Sequence, residues 1–180
     1  PLEELRVRTF DGYQILHPRK ITQRPVVSID IDEKSLARFG QWPWPRTRVA
    51  DLVQRLTELG AAAIAFDIVF AEQDRLSPGN AANTFRDLDE VSRDKLRALP
   101  SNDEVFASVL RKSPVVLGES GLPKFVPQPD LKLPLTGLAT LGSDPKPFLL
   151  QFPGLLRNIP ILEEAAPGRG LFTIRTERDG

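Results

Sequence analysis

Residues 25–70, PVVSIDIDEKSLARFGQWPWPRTRVADLVQRLTELGAAAIAFDIVF, leave this chain few choices of fold. Residues 26–31 are almost continuously apolar and rich in β-branched side chains, the pattern of a strand covered on both faces by helices. Glu33 to Arg38 allow one helical turn, which Gly40 breaks. In Trp42-Pro43-Trp44-Pro45-Arg46 the prolines fix φ and hold the residues before them extended, so a rigid turn is expected. Thr47 is placed to cap the helix that follows, in which Val49, Leu52, Val53, Leu56 and Leu59 recur at helical spacing and Gly60 supplies the stop. Burying five such side chains is worth on the order of 10 kcal/mol before entropy is subtracted. Residues 61–70 then read as a second strand, and the whole as one βαβ unit.

Parallel strands joined by a helical crossover end on the same edge of their sheet, so Asp30, Asp32 and Asp67 are expected to gather there. Three neighbouring carboxylates repel one another and require cations or hydrogen-bond donors. A divalent cation, Mg²⁺ or Ca²⁺, is one answer, with Asp30, Asp32 and Asp67 as its ligands. The other is internal: Arg46 on the rigid turn, the indole N–H groups of Trp42 and Trp44, and the first amides of the Thr47 helix, leaving no cofactor. Asp67 interrupts an apolar run and needs such a partner, because an isolated buried carboxylate is prohibitively costly.

The rest of the chain is less sharply patterned. Residues 1–24 form a lead-in segment, weakly helical up to a His17-Pro18 break, and His17 is the sole histidine. Beyond residue 70 the sequence turns polar, with Glu72 and Asp74 just past the strand, a loop at Pro78-Gly79-Asn80, and an imperfect helical pattern over 84–99. Ser101 followed by Glu104 is a capping-box signature, and Val105, Phe106, Val109 and Leu110 give that helix its buried stripe. Residues 115–117 read as a third short strand. Eight of the 17 prolines fall between Pro114 and Pro153, where irregular loops or a recognition insertion are expected. Pro160 can start a helix through Ala166, and 171–176 alternate as a strand before Asp179-Gly180.

Composition bounds what such a fold can do. The 24 basic and 24 acidic residues cancel, which removes the electrostatic ground for a nucleic-acid partner. Without cysteine there are no disulfides, thiolate metal sites or cysteine nucleophiles. There is no methionine, even at the start, so the chain is expected to be a piece of a longer protein. No apolar run approaches the roughly 20 residues that span a bilayer.

The Asp-x-Asp after an apolar strand resembles the phosphoaspartyl motif of haloacid-dehalogenase-type phosphatases, which would imply Asp30 as nucleophile, Asp32 as general acid and Mg²⁺ as cofactor. That motif continues with small or β-branched residues, whereas Glu33 and Lys34 follow here. A resemblance spanning nearly the whole chain rests on VVSIDIDEKSL, WPWPR, AAIAFDIVFAEQD and the later NIPILEEAAPGRGLFTIRTERDG: together they resemble the CHASE2 domain, an extracytoplasmic sensor module of bacterial signalling proteins. The resemblance implies a non-enzymatic receptor input domain over residues 25–180, truncated at its C-terminal end. Residues 1–24 then follow a membrane span, and the receptor's output is a cytoplasmic nucleotide cyclase, histidine kinase or serine/threonine kinase. It places the domain on the periplasmic or extracellular side, membrane-tethered, with an unknown small-molecule or envelope signal. A homodimer is expected, since relative motion of two chains is the simplest message a membrane helix carries. The expected architecture is α/β, a mostly parallel central sheet flanked by helices, starting from the βαβ unit and interrupted by the proline-rich irregular segment.

Overall fold

The computed structural model describes residues 2–18, 20, 25–127 and 140–174. The chain divides into two compact units, Pro1–Trp42 with Ile174–Gly180, and Pro43–Thr173.

In the first unit, α1 (Leu2–Leu16) and α2 (Glu33–Phe39) are the regular elements. The helical propensity of the lead-in is realised over Leu2–Leu16 and ends, as the sequence suggests, at His17-Pro18. Asp32 caps α2: its Oδ1 accepts from the Ser35 amide at 2.8 Å and from the Ser35 hydroxyl at 2.7 Å. Gly40 ends the helix at φ 89°, a conformation that costs glycine nothing. The expected first strand is not formed. Residues 25–32 carry no strand, and Val26 and Val27 are 82% and 80% exposed. β-propensity describes a residue's fit to a pleated, half-buried surface, and without a ladder partner it does not make a strand.

The second unit holds the sheet. Its elements are α3 (Arg46–Glu58), β1 (Ile64–Ala65), α4 (Pro78–Thr84), α5 (Glu90–Arg97), α6 (Asn102–Leu110), β2 (Val115–Leu122), a 3₁₀ turn (Lys146–Phe148), β3 (Gly154–Leu156), α7 (Pro160–Ala165) and β4 (Gly168–Leu171). β2 is the central strand. β1 pairs with it in parallel, Ile64 opposite Val115, and β4 also in parallel, Val116 opposite Gly168 through Glu119 opposite Leu171. β3 runs antiparallel along the last residues of β2, Ser120 opposite Leu156. The result is a mixed α/β fold whose sheet is mostly parallel (β1, β2, β4) and flanked by helices, the fold class read from the sequence.

Several boundaries differ from expectation. β1 occupies two residues instead of ten, β2 runs five residues past Leu117, and the last strand ends at Leu171, near where the alternation suggested it would begin. Pro78-Gly79-Asn80 opens a helix, with Pro78 at its first position, where a missing N–H costs no hydrogen bond. The capping box is present as expected: Ser101 Oγ accepts from the Glu104 amide at 3.1 Å, and Glu104 Oε2 from the Ser101 amide at 2.7 Å. Within the proline-rich 114–153 segment, β2 and the 3₁₀ turn are regular, while 128–139 lie outside the described residues.

The core is aromatic and aliphatic. Phe70, Phe106, Leu110, Val115, Leu117, Leu162 and Val53 are almost wholly enclosed. Phe66, Phe70 and Phe106 meet edge to face at centroid distances of 5.4 to 6.2 Å, the arrangement aromatic quadrupoles favour. α6 packs on both α3 and α7. The stripe on α3 is narrower than its leucines suggest: Val49, Ala50 and Val53 are buried, whereas Leu52 and Leu59 are 36% and 67% exposed. The buried face, Arg46, Val49, Ala50 and Val53, keeps i, i+3, i+4, i+7 spacing and begins with an arginine.

Candidate functional site

That arginine is the centre of a buried polar cluster. α3 begins at Arg46, one residue before Thr47, so Thr47 does not cap it, and no side chain within the helix takes that place. The cap comes from the loop after β1: Asp74 Oδ2 accepts from the Arg46 amide at 2.7 Å and from Asn102 Nδ2, on the first turn of α6, at 2.8 Å. Asp74 Oδ1 accepts from the Leu76 amide at 2.8 Å, and the Asp74 amide donates to Asp103 Oδ2 at 2.9 Å. Ser77 Oγ accepts from the Asn102 amide at 3.1 Å. The starts of α3 and α6 are thereby joined through one loop.

The Arg46 guanidinium lies 4.4 Å from the Phe70 ring centroid, and its Nη2 donates to the Glu72 carbonyl at 3.3 Å. Its Nε is 3.6 Å from Asp103 Oδ1, close enough to attract but without a hydrogen bond, and neither atom has another partner. Burial lowers the Arg46 pKa and raises that of Asp103, since each charge has lost its hydration; the Asp74 amide and Arg46 oppose the rise at Asp103. Asp103 also lines a cleft of about 490 Å³, together with Ser77, Asn80, Ser101 and Glu104, with Ile159 to Ile161 from the start of α7 opposite.

A second network ties the sheet to α7. Glu163 is fully buried, and its Oε1 accepts from the amide and Nδ2 of Asn158, both at 3.0 Å. Its Oε2 faces Arg157 Nη2 at 3.4 Å and Arg169 Nε, from β4, at 3.8 Å. Arg157 Nε donates to Glu119 Oε1, on β2, at 3.2 Å. Asn158 completes the join: Oδ1 accepts from the Phe70 amide at 2.8 Å, and Nδ2 donates to the Gly118 carbonyl at 3.0 Å. Burial raises the Glu119 pKa and the charge of Glu163 adds to it, against Arg157 and Arg169.

The residues singled out in the sequence are placed otherwise than expected. Asp30 is exposed, with the Ser28 hydroxyl 3.4 Å away, and Asp32 is committed to capping α2; both belong to the first unit. Asp67 belongs to the second, in an exposed bend after β1, where water solvates its charge and no buried partner is required. Within the second unit Arg46 meets Asp74 through its amide and Asp103 through its guanidinium, and not the expected Asp67. Trp42 is half-buried in the first unit and Trp44 buried in the second. Among the described residues, no group of three or more His, Asp or Glu side chains could hold a metal ion. Of the polar side chains that join Arg46 in the two networks, Asp74 was marked by its position after a strand. Asp103 carried a weaker signal, inside the capping-box turn, and Asn158, Glu163 and Arg169 lay within the NIPILEEAAPGRG motif without a role.

Compared with known families, the chain matches the model of the CHASE2 domain over residues 1–180, its whole length. No curated protein and no solved structure matches it.

Proposed function

The chain belongs to the CHASE2 family of extracytoplasmic sensor domains, and on that premise we propose that it is the input domain of a bacterial transmembrane receptor whose cytoplasmic output is a nucleotide cyclase or a kinase. Members of this family sense and do not catalyse. The observation that carries the reading is the family match across all 180 residues. Asp32, the general acid of the phosphohydrolase alternative, caps α2 through Oδ1.

In the proposed receptor the domain lies on the periplasmic or extracellular side, tethered by membrane segments elsewhere in the protein. Among the described residues no helix is long and apolar enough to cross a membrane. A homodimer is part of the proposal, and the exposed Leu5, Phe10, Tyr13, Ile15 and Leu16 of α1 are the side chains that favour pairing of the lead-in helices. The signal acts on the second unit, where two buried polar networks make the ends of several elements interdependent.

The test is made in the full-length protein. Alkaline phosphatase inserted at the loop around Ser143 is expected to be active, and a fluorescent protein that folds only in the cytoplasm to be dark there. The reverse pattern overturns the proposal.

A further inference from the structure

Two buried carboxylates meet Arg46, Asp74 at its backbone amide and Asp103 at its guanidinium, and they are not equivalent. Asp74 receives three N–H donors, from Arg46, Leu76 and Asn102. Asp103 receives one, from the Asp74 amide to Oδ2, while its Oδ1 is enclosed 3.6 Å from Arg46 Nε with no donor. A buried charge without donors is costly, and the group relieves it by becoming neutral. Of the two carboxyls, Asp103 has the fewer donors and is the one whose burial a proton relieves more.

We propose that the proton is a signal this domain reads, with Asp103 as its acceptor and the cleft beside Ser77, Ser101 and Glu104 as its route from solvent. This rests on the sensor reading and specifies one stimulus for it. The charged groups facing Asp103 are Arg46 from α3, Asp74 from the loop after β1, and Glu104 from its own helix. α7 offers the cleft only Ile159, Pro160 and Ile161, all uncharged. Protonation has a mechanical consequence: neutral Asp103 still accepts from the Asp74 amide but no longer attracts Arg46, which is left with Asp74 and the Glu72 carbonyl. The link between the first turns of α3 and α6 slackens.

The raised pKa of Asp103 supports this and fixes the sign of the response. A folded-state pKa above the unfolded value means that the native chain binds protons more tightly. The stability contributed by Asp103 is therefore fully present below the ordinary aspartate pKa and is lost as pH rises through its folded value. Carboxyls held below their ordinary range, such as Asp32, Asp89 and Glu104, act in the opposite direction in acid, so a comparison with a variant is needed.

Two measurements on the chain decide it. Side-chain carboxyl NMR is expected to show Asp103 titrating above the range of ordinary aspartates. The thermal midpoint, followed from about pH 8 into acid, is expected to include a rise, as Asp103 takes up its proton, that Asp103→Asn removes. Superimposable profiles for the chain and the variant, or an Asp103 titration at or below the ordinary range, overturn the proposal. If the variant does not fold, the NMR titration of the unaltered chain decides alone. A topology reporter on the cytoplasmic side would sink the sensor reading while leaving the titration of Asp103 as it was.

Discussion

Replacing Arg46 by alanine tests whether the buried cluster is what holds the starts of α3 and α6 together. The side chain is only 8% exposed and, among the described residues, carries the cation that faces Asp103 and acts on Asp74, themselves 4% and 5% exposed. Truncation leaves their negative charges enclosed without a counter-ion, the circumstance in which breaking a buried pair costs roughly 3 to 5 kcal/mol. The stacking on Phe70 is lost as well, but most of that loss falls within the same range, because a truncation measures all consequences at once. Asp74 keeps its three N–H donors, including the Arg46 amide that alanine retains, so the penalty concentrates on Asp103. Asp103 can relieve it by taking up a proton, at about 1.4 kcal/mol per pH unit between its pKa and the solution. The destabilisation is therefore expected to be largest at neutral pH and smaller in acid. Urea unfolding followed by tryptophan fluorescence, at about pH 7 and again at about pH 5, measures both quantities. Arg46→Lys keeps the charge but not the planar guanidinium over Phe70, and should fall between the two. A loss below about 0.5 kcal/mol for Arg46→Ala, the size of an ordinary surface substitution, refutes the reasoning.

Asn158→Ala strands the Phe70 amide, the Gly118 carbonyl and part of the Glu163 shell, at about 1–3 kcal/mol for each buried group left unpaired, and is expected to expose the tie between β2 and α7; urea unfolding at neutral pH checks it, and a loss under about 1 kcal/mol would show that water replaces the amide. Gly118→Ala places a methyl group against the Phe66 carbonyl and the Phe172 ring, so a cost of about 1–3 kcal/mol is expected in the same assay. A neutral result there would mean that the sheet yields at β2 more readily than its packing suggests.

The parts of the fold legible in the sequence were those governed by neighbours within one helical turn. Ser101 and Glu104 meet as a capping box because both ends of that interaction lie on the same turn. Gly40 and Gly60 sit at helix ends at φ 89° and 85° because only glycine enters that region without strain. Pro160 opens α7 for the same local reason. The run from Val26 to Ile31 shows the limit: its composition suits a strand, yet a strand exists only through its ladder, and composition does not supply the partner.

The candidate site lay beyond that limit. Arg46 was marked out by the sequence because a charge sits on a rigid turn before an amphipathic helix, but its expected partners were the aspartates nearest in the pattern. The fold gives it Asp74 and Asp103, and gives Asn158 the Phe70 amide, 88 residues away. Periodicity records which side chains are apolar and says nothing of which buried polar groups will find one another. The sequence by itself determined the capping box of α6, the glycine stops after α2 and α3, the proline start of α7 and, through the motifs in residues 25–70 and 158–180, the family. Only the tertiary structure decided that Asp103 would be the carboxylate left short of donors, because donor count is a property of the assembled neighbourhood and of no single stretch of chain.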